Sequence, residues 1–144
     1  MPAMREATVL TLSAAGVFAL AGMVLETLHA REKPLADLAF LLLWGGGQQF
    51  VLQTVVLREA QATISRRHAH LLAAAVFAAL HLPNPFLSAV TFIGAFFWCR
   101  IFARHPNILP LALSHALATL AILVSFDERV TGRLRVGASY LQLD

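Results

Sequence analysis

The chain falls into five apolar runs separated by short charged or proline-bearing breaks. They cover roughly Ala7–Leu28, Leu35–Leu57, Leu71–Leu82, Phe86–Phe102 and Ile108–Phe126. The breaks are "HAREKP", the polar connector "REAQATISRRHAH", Pro83-Asn84-Pro85 and the segment around His105-Pro106. A membrane-spanning helix needs on the order of 20 apolar residues, or about 17 at the short end. Runs one, two, four and five qualify. Run three is short, and is either a partial span held among the others or a helix that begins earlier, near His68. The pattern predicts an all-α, polytopic transmembrane helical bundle of about five spans. Residues 1–126 form a single transmembrane helical domain, and residues 127–144 form a polar C-terminal tail that is extended or lies at the interface. No internal repeat and no low-complexity linker interrupts this order.

Composition supports the membrane reading. Of 144 residues, 58% are hydrophobic and 13% charged, with a mean hydropathy of +0.71. Soluble domains run to about 45–50% apolar and 25% charged. A net charge of +3 raises nucleic acid as a partner, but the basic residues are scattered between apolar runs, as loop anchors and contacts to membrane lipid are. No nucleic-acid partner is expected. The first run is too long for the roughly 7–15 apolar residues of a signal peptide, and "LETLHAR" is a poor small-residue cleavage site. It reads as a retained first span. With five spans, Arg5, Arg58, Arg66, Arg67, Arg100 and Arg104 fall on the N-terminal side. Arg31, Lys33, Arg129, Arg133 and Arg135 fall on the other. Six against five places the N-terminus in the cytoplasm, and the expected location is the cytoplasmic membrane of a prokaryote.

Polar side chains inside the runs are few. "WGGGQQFVLQ" puts Gln48, Gln49 and Gln53 in run two; His81 ends run three, and His115 lies in run five. Intramembrane polar groups face the bundle interior and find partners there. Gln49 and Gln53 are four apart and share a helix face, with Gln48 about 100° round from Gln49. Phe77 and His81 are also four apart, as are His115 and Thr119. Three helices thus carry one polar face each, and the simplest arrangement brings the three together. Small residues, among them Ala73, Ala74, Ala78 and Gly45–Gly47, allow close backbone approach.

These residues resemble the CAAX-protease and bacteriocin-processing (CPBP, or Abi) family of intramembrane proteases. That family carries Glu-Glu-x-x-x-Arg on one helix, Phe-x-x-x-His on the next, and His-x-x-x-Asn/Asp two spans later. Here "QQFVLQ", "FAALH" and "HALAT" stand in those places, in order, and the resemblance covers roughly residues 38–126. It implies helices around a membrane-buried water site, with the first glutamate as the general base of peptide hydrolysis. The histidines assist in polarising the scissile carbonyl. By position Gln48 and Gln49 replace the glutamates, Gln53 the arginine and Thr119 the Asn/Asp, while Phe77, His81 and His115 match. The resemblance makes Gln48, Gln49, His81 and His115 the degenerate catalytic set, and Gln53, Phe77 and Thr119 contacts to a substrate or partner.

A glutamine amide is no base at any useful pH, and general-base catalysis is typically worth roughly 10²–10⁴-fold. Exchanging Glu-Glu-Arg for three glutamines also avoids a costly unpaired arginine in the bundle. The glutamines read as a retained polar site without its catalytic charge. The bland alternative is that buried glutamines and histidines only bond helix to helix, contributing roughly 0.6–2 kcal/mol each. Gln53 and Thr119 suit it best, and Gly45–Gly47 suit close packing or a kink.

Metal binding has little to build on. His81 and His115 supply two nitrogens where zinc sites usually need three or four ligands, and no His-Glu-x-x-His occurs. His68, His70 and His105 lie in polar breaks, where solvation explains them. Cys99, the single cysteine, reads as a small buried hydrophobe. No metal and no cofactor are expected. Ser114 precedes His115 and so points away from it, and no acid completes a triad. Three functions follow: a pseudoprotease that binds a membrane-associated peptide or protein, an active endopeptidase in which His81 or His115 takes over as base, and a structural subunit of a membrane complex. The chain is short for the family, so a homo- or hetero-oligomer that completes the bundle is a further expectation.

Overall fold

A computed structural model describes residues 2–142. Among them there is no strand, and six helices follow in order. They are α1 (Pro2–Val24), α2 (Pro34–Thr63), α3 (Arg66–Ala79), α4 (Pro85–Arg104), α5 (Ile108–Ser125) and the short α6 (Glu128–Thr131). The helices α1, α2, α4 and α5 are each long and apolar enough to cross a membrane. Their outward faces carry large apolar side chains, Leu12, Leu43 and Leu35 being 66%, 80% and 81% exposed. Such a surface is tolerable in lipid and not in water. The chain is an integral membrane protein.

Run three becomes α3, with 14 residues, or roughly 21 Å at the helical rise. Its direction is fixed by what surrounds it. Glu6 near the start of α1 pairs with Arg104 at the end of α4 at 2.7 Å, so those two ends lie together. Thr27, just past α1, donates to the Ser125 carbonyl at the end of α5 at 2.6 Å. Four helices must therefore return the chain to the side on which α1 began, and α3 makes one of those passes. Five passes result, four by full-length helices and one by a short helix.

The connector "REAQATISRRHAH" is the segment where the sequence reading needs correction. It is not a loop: α2 continues through it to Thr63, and α3 starts at Arg66. Charge misled the reading, because α2 is 30 residues long and its end carries the polar residues of a helix beyond the hydrocarbon. Within α2, Leu52–Val56 form a π turn in which the Leu57 N–H donates to the Leu52 carbonyl five residues back. In a regular helix residues five apart point about 140° apart. The π turn brings Leu52 and Leu57 to the same side, where they are 0% and 1% exposed.

The centre of the bundle is α5, which packs extensively on both α1 and α2, while α3 packs on α4 and on the end of α2. One core joins Leu52, Leu57, Ala60, Ala69, Ala73, Phe77 and Cys99; a second joins Ala7, Trp98, Ile101 and Leu111. The small residues of α3 (Ala69, Ala73 and Ala74, all 0% exposed) let α4 approach. Helix starts are marked by side-chain caps: Asn84 accepts from the Leu87 N–H, Asn107 from Leu109 and Asp127 from Arg129 and Val130. Arg31, in the turn before α2, donates at 2.9 Å to the carboxylate of Asp37 in the first turn of α2, which raises the pKa of that guanidinium.

Residues 127–142 do not hang free of the bundle. The helix α6 is followed by the turn Gly132–Leu134 and a further turn at Gly137–Ser139. The Gly137 N–H donates to the Leu82 carbonyl at 2.8 Å, which ties this segment to the turn between α3 and α4.

Candidate functional site: an amide and imidazole chain in an apolar cavity

The polar residues of α2 and α5 meet through side-chain hydrogen bonds. Gln53 Nε2 donates to Gln49 Oε1 at 3.0 Å, and Gln49 Nε2 donates to His115 Nδ1 at 3.3 Å. Gln49 and Gln53 are both 0% exposed. The i, i+4 spacing read from sequence is what joins them. With Nδ1 accepting, the His115 proton sits on Nε2. The remaining acceptor, Gln53 Oε1, is buried without a partner. Gln48, about 100° round the helix, stays outside this chain; it is half-buried and lines the cavity.

The His115 ring is held on three sides. Gly45 lies beneath it, the Trp98 indole stacks on it at 4.7 Å and 25°, and the Phe77 edge meets it at 6.2 Å. Phe77 also packs on the His81 ring at 4.9 Å. His81 itself follows the end of α3, and its Nδ1 donates to the Phe77 carbonyl at 2.7 Å. That bond fixes the His81 tautomer and leaves Nε2 with a free lone pair. The two imidazoles therefore offer opposite functions, an acceptor nitrogen on His81 and an N–H on His115.

Both histidines line one cavity of about 820 Å³. It also takes in Phe40, Trp44, Gly45 and Gln48 of α2, Val17 of α1, Thr91 of α4 and Thr119 of α5. No carboxylate lines it among the described residues, and no group of three His, Cys, Asp or Glu converges there or elsewhere in them. The cavity can hold a largely apolar ligand and orient it by a few polar atoms. Phe40 and Trp44 stack on each other with centroids 6.5 Å apart, and both are mostly exposed while facing the cavity. The helices α1 and α2 each pack on α5 rather than closely on each other, and both contribute side chains to the cavity wall.

Residues 31–121 match the family model of the type II CAAX prenyl endopeptidase Rce1-like proteins, well over half of the 144 residues. The chain belongs to the Rce1-like family. The matched segment runs from the turn before α2 into α5 and holds Gln48, Gln49, Gln53, Phe77, His81, His115 and Thr119. It begins and ends somewhat earlier than residues 38–126, which carry the resemblance. Neither the curated proteins nor the solved structures contain a match.

The structure of this Rce1-like chain thus brings all seven sequence-selected residues to the cavity or to the hydrogen-bonded chain behind it, with Gln53 as the deepest member. Thr119 lines the cavity but spends its hydroxyl on the His115 carbonyl at 3.0 Å. Ser114, excluded above only as a triad serine, joins Trp98 and Thr11, which the sequence did not single out, in a polar cluster behind the site. Ser114 Oγ accepts from the Trp98 indole at 3.0 Å and bonds to the Thr11 hydroxyl at 2.7 Å. Ser114 does point away from His115, and it is through Trp98 that it supports the ring. The available signal was the indole N–H of Trp98 within an apolar run, which needs a buried acceptor.

Proposed function

We propose that this protein is a catalytically impaired member of its family, which binds a membrane-associated peptide or partner protein without cutting it. It does so in the cytoplasmic membrane of a prokaryote, with the N-terminus in the cytoplasm. The observation that carries this reading is the cavity wall: Gln48, an amide, stands where the family resemblance puts the carboxylate base, and no carboxylate lines the cavity among the described residues, while Gln53, Gln49 and His115 keep a hydrogen-bonded link from α2 to α5 behind it. An amide preserves geometry and loses proton transfer. The His81 acceptor and the His115 donor complement the N–H and C=O of a peptide bond, and the apolar walls suit the side chains or lipid anchor of a membrane-bound segment. Gln48, at the wall, is the glutamine free to meet such a ligand.

One observation favours a second reading. His81 Nε2 carries an unshared lone pair in the cavity, as a general base must, so the active endopeptidase would use His81 rather than His115. The test is proteolysis and binding by lipid-reconstituted protein, using peptides tethered to vesicles by a prenyl group or by a transmembrane helix. The expected result is binding without cleavage, weakened by Gln48→Leu, with cleavage appearing in Gln48→Glu/Gln49→Glu/Gln53→Arg. Cleavage by the unaltered chain that His81→Ala abolishes would establish the second reading. Binding indifferent to both Gln48 and His81 would leave a structural subunit of a membrane complex.

A further inference from the structure

The segment after α5 lies outside the family match, yet two of its residues, Leu134 and Val136, form part of the cavity wall. Its backbone is unusual there. Gly132, Arg133 and Leu134 have φ of 57°, 55° and 53°, three successive residues in left-handed conformation. That conformation costs roughly 1–2 kcal/mol for each residue bearing a Cβ, so Arg133 and Leu134 are held in it by their surroundings. Asn84 does the holding. Asn84, 1% exposed, donates to the Thr131 carbonyl at 2.9 Å and to the Arg135 carbonyl at 3.1 Å, bracketing the turn from both sides. Arg133 pairs with Glu128 at 2.7 Å, but both side chains are largely exposed, so the pair adds little to that fastening. Gly132 is required at the tightest point: a Cβ there would meet the Tyr140 ring at 2.5 Å and Asn84 Nδ2 at 3.0 Å.

A strained turn fastened by a buried amide, with an apolar side chain placed in the cavity, is suited to setting a wall. We propose that Leu134 and Val136 are specificity-determining residues, which limit the size of ligand the cavity admits at the end near His81. Asn84 is the positioning residue that keeps them there. Bulkier apolar groups are excluded at that end. The proposal takes the cavity as the binding site proposed above, but its test reads access to the cavity and needs no partner.

The full chain in lipid nanodiscs carries Thr119→Cys as a reporter in the cavity, with the buried Cys99 kept and the Thr119 protein as the blank. Labelling rates are measured with a small aminoethyl methanethiosulfonate and with a bulky stilbene-disulfonate maleimide. Leu134→Gly removes the wall side chain and suits the positive φ; Asn84→Ala unfastens the turn. Each should raise the rate for the bulky reagent relative to the small one by about tenfold, equivalent to about 1.4 kcal/mol of barrier. Arg133→Gly relieves the same kind of strain without touching the wall and should leave the ratio unchanged. An unchanged ratio in Leu134→Gly overturns the proposal, even if Asn84→Ala changes it through misfolding. An equal rise in Arg133→Gly also overturns it, since backbone loosening would then explain the result. A failed peptide-binding experiment would leave this measurement intact, so the two readings fail separately.

Discussion

The imidazole of His115 rests on the backbone of Gly45. A Cβ at residue 45 would lie 3.3 Å from His115 Cγ, closer than nearly all ordinary contacts. Of the three glycines in "WGGG", this is the one that the site needs: Gly46 would meet only the Ala112 methyl at 3.8 Å, and Gly47 nothing within 4 Å. The glycines that interrupt an apolar helix thus let α2 lie against α5 at the level of the polar chain.

Gly45→Ala should separate the two roles of this contact. Alanine favours the helix by roughly 1 kcal/mol over glycine, while the ring must yield by a few tenths of an ångström. The expected outcome is a melting temperature close to that of the parent and weaker binding of the tethered peptide. Gly45→Leu should lower stability by about 1–3 kcal/mol through overpacking. Thermal unfolding in detergent, paired with peptide affinity, checks both. Undiminished binding in Gly45→Ala would show that the His115 position does not matter for the ligand.

The tautomers of the two histidines form a second prediction. His81 Nδ1 faces a carbonyl, which only accepts, so its proton is on Nδ1. His115 Nδ1 faces the Gln49 amide, whose orientation decides the matter. As arranged here, His115 carries its proton on Nε2. Nitrogen-15 spectra of histidine-labelled protein, with the His81 and His115 signals assigned among the six histidines by single His→Gln variants, should therefore show His81 protonated on Nδ1 and His115 on Nε2. Both of these rings protonated on Nδ1 would mean that the glutamine chain runs in the opposite sense, from His115 towards Gln53.

The glutamines should be unequal in stability. Gln49→Leu leaves His115 Nδ1 and Gln53 Nε2 without partners, each buried orphan costing roughly 1–3 kcal/mol. Gln53→Leu leaves one orphan, Gln49 Oε1, and removes another, the already unpartnered Gln53 Oε1. Its cost should be about 1 kcal/mol or less, and the double variant should lose less than the sum of the two. Chemical denaturation of the three variants tests this order. A Gln53→Leu as damaging as Gln49→Leu would indicate a further partner for Gln53.

Much of this arrangement was legible beforehand because membrane burial makes polar residues conspicuous. Gln49, Gln53, His81 and His115 stood out against hydrocarbon, and their spacing of four put the right ones on shared faces. The boundary of α2 was not legible, since charge marks where a helix leaves the membrane and not where it ends. Nor was the π turn at Leu52–Val56, whose burial pattern depends on packing by α3 and α4. The docking of residues 127–142 rests on the Asn84 amide and the Leu82 carbonyl, whose partners lie about fifty residues away, and no local pattern announces it. Trp98 is a similar case, an aromatic in an apolar run whose role is set by a hydroxyl on the next helix.

That hydroxyl supplies the last prediction. Ser114 Oγ is 3.0 Å from the Trp98 indole nitrogen and 2.7 Å from Thr11 Oγ1. Thr11 also has the Ala7 carbonyl at 2.8 Å within its own helix, so it can lose Ser114 without being orphaned. The indole N–H cannot. Ser114→Ala should therefore cost about 1–3 kcal/mol, act on Trp98 rather than Thr11, and loosen the stack on His115. In a Trp44→Phe background, which leaves Trp98 as the only fluorophore of its kind, the emission should move to shorter wavelength as the indole loses its acceptor. Thr11→Val, close in shape, should leave that emission nearly unchanged. Peptide affinity should follow the emission, falling in Ser114→Ala and holding in Thr11→Val. If both variants weaken binding equally, α1 contributes to the site directly and not only as packing behind it.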